Sequence, residues 1–206
     1  MGKGSRLKVG RKHNESSGTT RSAESEPLPR ADLNLLLRAV EEVGAYFGTT
    51  PNCAAAAALL METGRLLGYT LTPRPVSVLI NYTPTDTWIA MGPLALAKMP
   101  RGVRENMEDF RPGGRDTGHL VLTNEDPQLL LDPNLRQLGS YGVPAPSIAM
   151  RISNPNDSTN WAVDRDGLRI AYMLDESNRS LMKNFAELVR AAAPRARELV
   201  RALRAS

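Results

Sequence analysis

The segment from His119 to Asp132, "HLVLTNEDPQLLLD", constrains the fold more than any other stretch. Two apolar runs, "HLVLT" and "QLLLD", are separated only by "NEDP". That length suits a tight hairpin between antiparallel strands, whereas a parallel pair needs a long crossover. With "NEDP" as the loop, Thr123 faces Gln128, Val121 faces Leu130 and His119 faces Asp132. Directly opposed residues share a face of the sheet, with Cβ atoms about 4.5–5.5 Å apart. Register alone therefore sets an imidazole beside a carboxylate. Leu120, Leu122, Leu129 and Leu131 fall on the opposite face, and burying them resists a slip.

The flanking sequence adds helices before and after a run of strands. "ADLNLLLRAVEEVGAYF" carries apolar residues at helical spacing, with Asp32 as its N-cap. A second helix is expected from about Cys53 to Leu67, stopping at Gly68. "RPVSVLINY" and "DTWIAM" read as strands, "GPLALAKMP" as a short helix, and "RGVRENMEDFRPGGRDTG" as a loop. Further strands are expected at "PSIAMRI", "NWAVDR" and "LRIAYML", the last two joined by a turn at "DRDG". The closing helix, "SLMKNFAELVRAAAPRARELVRALR", is expected to kink or split near Pro194. Helices, then strands in hairpin order, then a helix give an α+β fold with an antiparallel sheet.

Charge divides the chain in two. Residues 1–30 hold seven Lys/Arg and three Glu, so the whole net charge of +4 sits there and residues 31–206 are neutral overall. The first segment is expected to be a disordered basic tail and the second a single domain. The tail's charge permits contact with nucleic acid, but no aromatic is present in it to stack on bases. The basic, amphipathic last helix offers a partner-helix or anionic surface as the alternative to packing on the sheet. No apolar run is long enough for a membrane span, and no apolar block follows the N-terminal charges as in a secretory signal. A single cysteine excludes an internal disulfide and fits a reducing, cytoplasmic setting. One Cys and two His do not make a structural zinc site, so no metal is expected.

The cysteine itself opens a run of five alanines in "TTPNCAAAAALLMETGRLLGY". Thr50 or Asn52 can cap the helix, which puts Cys53 in its first turn. There unpaired backbone amides and the helix dipole favour a thiolate and can serve an oxyanion. Small alanines let the helix lie close to a sheet, where its first residue meets a histidine held by a carboxylate. The plainer readings stand beside this one. Cys53 can be a small core residue, His119 a strand-edge histidine, and Asp132 the cap of the short helix "PNLRQL".

"CAAAAALL" with "LLGY", followed by a strand and then by "GHLVL" and "LLLDPNL", resembles the Cys–His–Asp core of the transglutaminase-like branch of the papain-like superfamily. It is also similar to the arylamine N-acetyltransferase core and to uncharacterised actinobacterial and phage-associated proteins. The resemblance covers about Thr49 to Leu138. It implies a papain-like core with the nucleophile helix packed on the sheet. Cys53 would be nucleophile, His119 general base and Asp132 the carboxylate that orients it. The activity implied is acyl transfer through an acyl-enzyme, to water as a hydrolase or to an amine as an acyltransferase. The acyl donor would be a small molecule or a peptide. No cofactor is implied, with acyl-CoA allowed as a co-substrate. No glutamine precedes Cys53, so Asn52 or a backbone amide would have to serve the oxyanion; Trp88 and Trp161 are candidate substrate-lining residues, with core packing the plainer reading of both. Independently of the resemblance, the loop 101–118 immediately precedes His119 and reads either as a lid over the cleft or as a disordered insertion. The rival reading is a catalytically inactive binding module of the same fold, or a phage or toxin-system accessory protein.

Overall fold

The computed structural model describes residues 32–105, 118–153 and 161–206. The expectations for the tail 1–30, and most of that for the loop 101–118, lie outside these residues. Helix α1 (Leu33–Phe47) begins where the Asp32 carboxylate accepts the Asn34 and Leu35 amides, as its sequence position predicts. Its apolar spacing turns Leu36, Ala39, Val40 and Val43 inward. In α2 (Cys53–Leu66), the cap is Asn52 rather than Thr50; its side-chain oxygen accepts the Ala55 amide at 3.3 Å.

The hairpin β1 (Thr72–Tyr82) and β2 (Thr87–Met91) leads to the short helix α3 (Pro93–Lys98). A further turn of helix, α4 (Arg101–Glu105), forms where the sequence suggested only loop. Next come β3 (His119–Asn124), β4 (Leu129–Asp132) and a 3-10 helix, Leu135–Tyr141. Strands β5 (Ile148–Arg151), β6 (Trp161–Arg165) and β7 (Leu168–Leu174) complete the sheet, and α5 (Phe185–Ala205) closes the chain. The protein is thus α+β, with an antiparallel sheet and a C-terminal helix.

The sheet runs β5-β4-β3-β1-β7-β6, with β2 also paired to β1. The 11-residue β1 is long enough to organise it. On one edge its first half pairs with β3 and its second half with β2, while the other edge takes β7. One face of the sheet sends Leu120, Leu122, Leu129 and Leu131 into a core shared with α1, α2 and α5. The other sends Val76, Val78, Val121, Leu130 and Ile170 into a second core, which Leu135, Leu138 and Val143 close. Each fully buried leucine is worth about 1.5–3 kcal/mol. A one-residue slip of β3 and β4 would turn all four leucines away from the helices, so their register is firmly set.

Ala56, Ala57 and Ala58 are fully buried, and α2 packs on α5 and α1 as well as on β3. The alanine run therefore lets three elements close on one helix, not the sheet alone. Helix α5 is not split at Pro194 but continues through it as one helix. Pro194 and Arg190, whose carbonyl loses its helical donor, are both exposed, so water can take up that bond. Among the described residues no helix is long and apolar enough to cross a membrane.

Candidate functional site

The β3–β4 ladder pairs Leu122 with Leu131, Thr123 with Leu130 and Asn124 with Leu129. The loop is therefore Glu125 to Gln128, one residue later than "NEDP", and the register differs by two from the expected one. Asn124 stays in the strand and its carboxamide donates to the Pro127 carbonyl at 3.0 Å, closing the turn from inside. A shift of two preserves the face on which every side chain lies. His119 and Asp132 are consequently diagonal rather than directly opposed, yet they still meet. His119 Nε2 lies 2.9 Å from Asp132 Oδ2 and 3.0 Å from Oδ1, and both residues are fully buried.

The chain reaches His119 through Gly118, whose φ is +62°. A Cβ at Gly118 would stand 3.0 Å from the Val76 carbonyl, so glycine lets β3 start this close to β1. Two further donors hold Asp132. The Tyr172 hydroxyl donates to Oδ2 at 3.1 Å, reaching across from β7, and the Asn134 backbone amide donates to Oδ1 at 3.1 Å. Burial, then the charge and hydrogen bond of Asp132, push the Tyr172 hydroxyl well above its ordinary pKa, which keeps it a donor.

His119 feels opposed influences. Burial pulls its pKa down more strongly than any other single cause. The charge of Asp132 and the hydrogen bond to it, followed by a side-chain hydrogen bond and charge from Cys53, outweigh burial and raise it to about 10. On balance these influences favour the charged ring at neutral pH. With Nε2 committed to Asp132, Nδ1 is the nitrogen left for other partners, and the Gln137 side-chain nitrogen lies 3.2 Å from it. The same Gln137 nitrogen lies 3.5 Å from the Met91 sulfur on β2.

Cys53 is half-buried at the first position of α2. Helix α2 packs on the leucine face of β3, whereas His119 and Asp132 project from the other face. Helix-on-sheet packing alone, as expected from the sequence, does not make them meet. The loop 48–52 that leads to Cys53 docks on the segment after Asp132. The Asn52 amide donates to Asn134 Oδ1 at 3.1 Å, and Asn134 Nδ2 donates to the Thr50 carbonyl at 3.2 Å.

Of the residues singled out by sequence, His119 and Asp132 come together, while Cys53 stands at the start of α2, packed against the leucine-face core. The Asn52 side chain is occupied as the α2 cap. Trp88 is half-buried, and its indole donates to Asp86 Oδ1 at 3.0 Å within its own hairpin. Trp161 is 5% exposed and belongs to the second core. Sequence reasoning missed Asn134, Gln137 and Tyr172. The first two stand in "DPNLRQL", directly after the carboxylate, and that adjacency was the available signal; Tyr172 had none. Grooves of about 510 and 380 Å³ border the β3–β4 turn around Glu125 and Asp126, and Cys53, His119 and Asp132 line neither. Among the described residues no group of three His, Cys, Asp or Glu could hold a metal ion.

A thiol at a helix N-terminus and a carboxylate-held imidazole are the groups that nucleophilic attack on a carbonyl uses. Comparison with known proteins adds no family to this geometry: no protein-family model, no curated protein and no solved structure matches the chain.

Proposed function

We propose that this protein is a thiol-dependent acyl-transfer enzyme with the papain-like core of the transglutaminase-like branch. The observation that carries the reading is a buried histidine held by a carboxylate, with the loop that leads to the chain's only cysteine docked directly after that carboxylate. Cys53, as thiolate, attacks the carbonyl carbon of an amide, ester or thioester, and the carbonyl pair moves onto oxygen. As the tetrahedral adduct collapses, the bond to the leaving group breaks and His119 Nδ1 gives that group its proton. The neutral imidazole then takes a proton from water or an amine, which attacks the Cys53 thioester and releases the acyl product. Asp132 keeps Nε2 engaged throughout, so the ring presents the same nitrogen in both half-reactions.

Alkylation tests this directly. Iodoacetamide should modify Cys53 near neutral pH well above the rate of a free thiol, and His119→Ala, with folding checked by far-UV circular dichroism, should slow it. Incubation with an activated ester such as p-nitrophenyl acetate should add one acetyl group to Cys53 by mass spectrometry. A wild-type alkylation rate no greater than that of glutathione, with no acetyl adduct, returns the chain to a binding module.

A further inference from the structure

We propose that Asn134 is the positioning residue that sets Cys53 against His119, an inference that rests on the acyl-transfer reading above. Asn134 is fully buried. A carboxamide offers one acceptor and a donor pair in one plane, and Asn134 uses both on a single short loop. Its oxygen accepts the amide of Asn52 and its nitrogen donates to the carbonyl of Thr50, so it grips the chain just before Cys53 as a neighbouring strand would. Its own backbone amide binds Asp132 Oδ1. One residue thus touches both the loop that delivers the nucleophile and the carboxylate that holds the imidazole.

The loop has little else to hold it. Thr49, Thr50, Pro51 and Asn52 are all exposed, Pro51 has no amide to donate, and the Thr50 amide is spent on the Phe47 carbonyl at the end of α1. A second close approach occurs where the Thr49 methyl lies 2.7 Å from the point a Cβ on Gly139 would occupy. The segment 134–139 is therefore a seat for the loop, and Asn134 is its polar contact. A displacement of about 1 Å at a reacting atom can cost roughly 10²-fold in rate, so the grip matters to chemistry more than to folding. Replacing the side chain leaves the backbone bond to Asp132 in place, and the loss is confined to where Cys53 stands.

The experiment compares wild type with Asn134→Ala and Asn134→Ser; serine keeps a hydroxyl too short to bridge both loop groups. Three readouts are taken: acetylation of Cys53 by p-nitrophenyl acetate, the pH profile of its alkylation by iodoacetamide, and the His119 Nε2 proton resonance. Both variants should keep the resonance, which depends on Asp132, while acetylation falls by about 10²-fold and the alkylation profile becomes that of a free thiol. Wild-type acetylation and profile in either folded variant overturn the inference. So does loss of folded protein in both, because the amide would then support the fold rather than the nucleophile. A wild-type protein already as slow as glutathione sinks the acyl-transfer reading before any substitution is made, and is told apart by that.

Discussion

Asp132 is the residue on which the buried polar cluster depends, since His119, Tyr172 and the Asn134 amide all bind its two oxygens. A buried imidazolium is expensive alone, and burial is the strongest single influence on His119, acting to discharge it. Asp132→Asn keeps the shape and removes the charge. Breaking one side of a buried ion pair costs about 3–5 kcal/mol, and His119 can limit that by releasing its proton. In Asp132→Asn the His119 pKa should therefore drop from about 10 to below the ordinary histidine value. An NMR titration reads this cleanly, because His13 is the only other histidine. A His119 that stays charged through pH 9 in the variant would show that something other than Asp132 holds the proton. Protonation also dictates the role of Gln137. An imidazolium donates from both nitrogens, so the carboxamide must turn its oxygen to Nδ1 in that state and its NH₂ group to a neutral ring.

At the scale of elements, the segment after β4 acts as a seat for what packs on it, and α1 comes close to it through Gly44. A Cβ on Gly44 would stand 2.7 Å from the Pro133 carbonyl and would also collide with the Ser147 hydroxyl. Alanine is favoured over glycine inside a helix by about 1 kcal/mol, while overpacking a tight contact costs about 1–3 kcal/mol. Backbone on one side gives little room to yield, so Gly44→Ala should lower stability in urea unfolding, by up to roughly 2 kcal/mol. It should also slow Cys53 alkylation, because Pro133 adjoins Asn134. Stabilisation would mean that Pro133 moves freely. This scale also separates what the sequence could show from what it could not. The alternation in "HLVLT" and "LLLD" put His119 and Asp132 on one face, and parity kept that true when the loop moved by one residue. Asp32 declared itself as a cap, and Asn52 was one of two candidates with Thr50, because capping is local. Tyr172 could not be found that way: it reaches Asp132 only because β7 joins β1 across the sheet order, and no pattern within either strand encodes that pairing. The seating of the loop before Cys53 was hidden for a related reason. It runs through Asn134, which looks like an ordinary turn residue until the loop 48–52 is seated on it.

For the whole molecule, the buried cluster makes stability depend on pH in a definite direction. His119 titrates near 6.5 when unfolded and near 10 when folded. Below pH 6.5 both states hold the proton and the pairing contributes fully; between 6.5 and about 10 the unfolded chain has lost a proton that the folded chain keeps, so folding weakens as pH rises. Tyr172 acts with the same sign at higher pH, because its folded pKa lies above the unfolded one and the neutral hydroxyl is lost first from the unfolded chain. Each unit of difference is worth roughly 1.4 kcal/mol, so a few kcal/mol is at stake, against a typical total of about 5–15 kcal/mol. Glu62 acts oppositely: its hydrogen bond with Arg65 holds its carboxyl below the ordinary range, so that contribution is present above pH 4.5 and is lost on acidification. Together these place the greatest stability in the mildly acidic range and a decline toward alkaline pH. Urea unfolding at pH 6 and pH 9.5 measures the decline in the wild type, and His119→Gln removes its main source. The wild type should lose a few kcal/mol between the two pH values while His119→Gln loses far less. Equal slopes would mean that the proton shared by His119 and Asp132 is not the source of the decline.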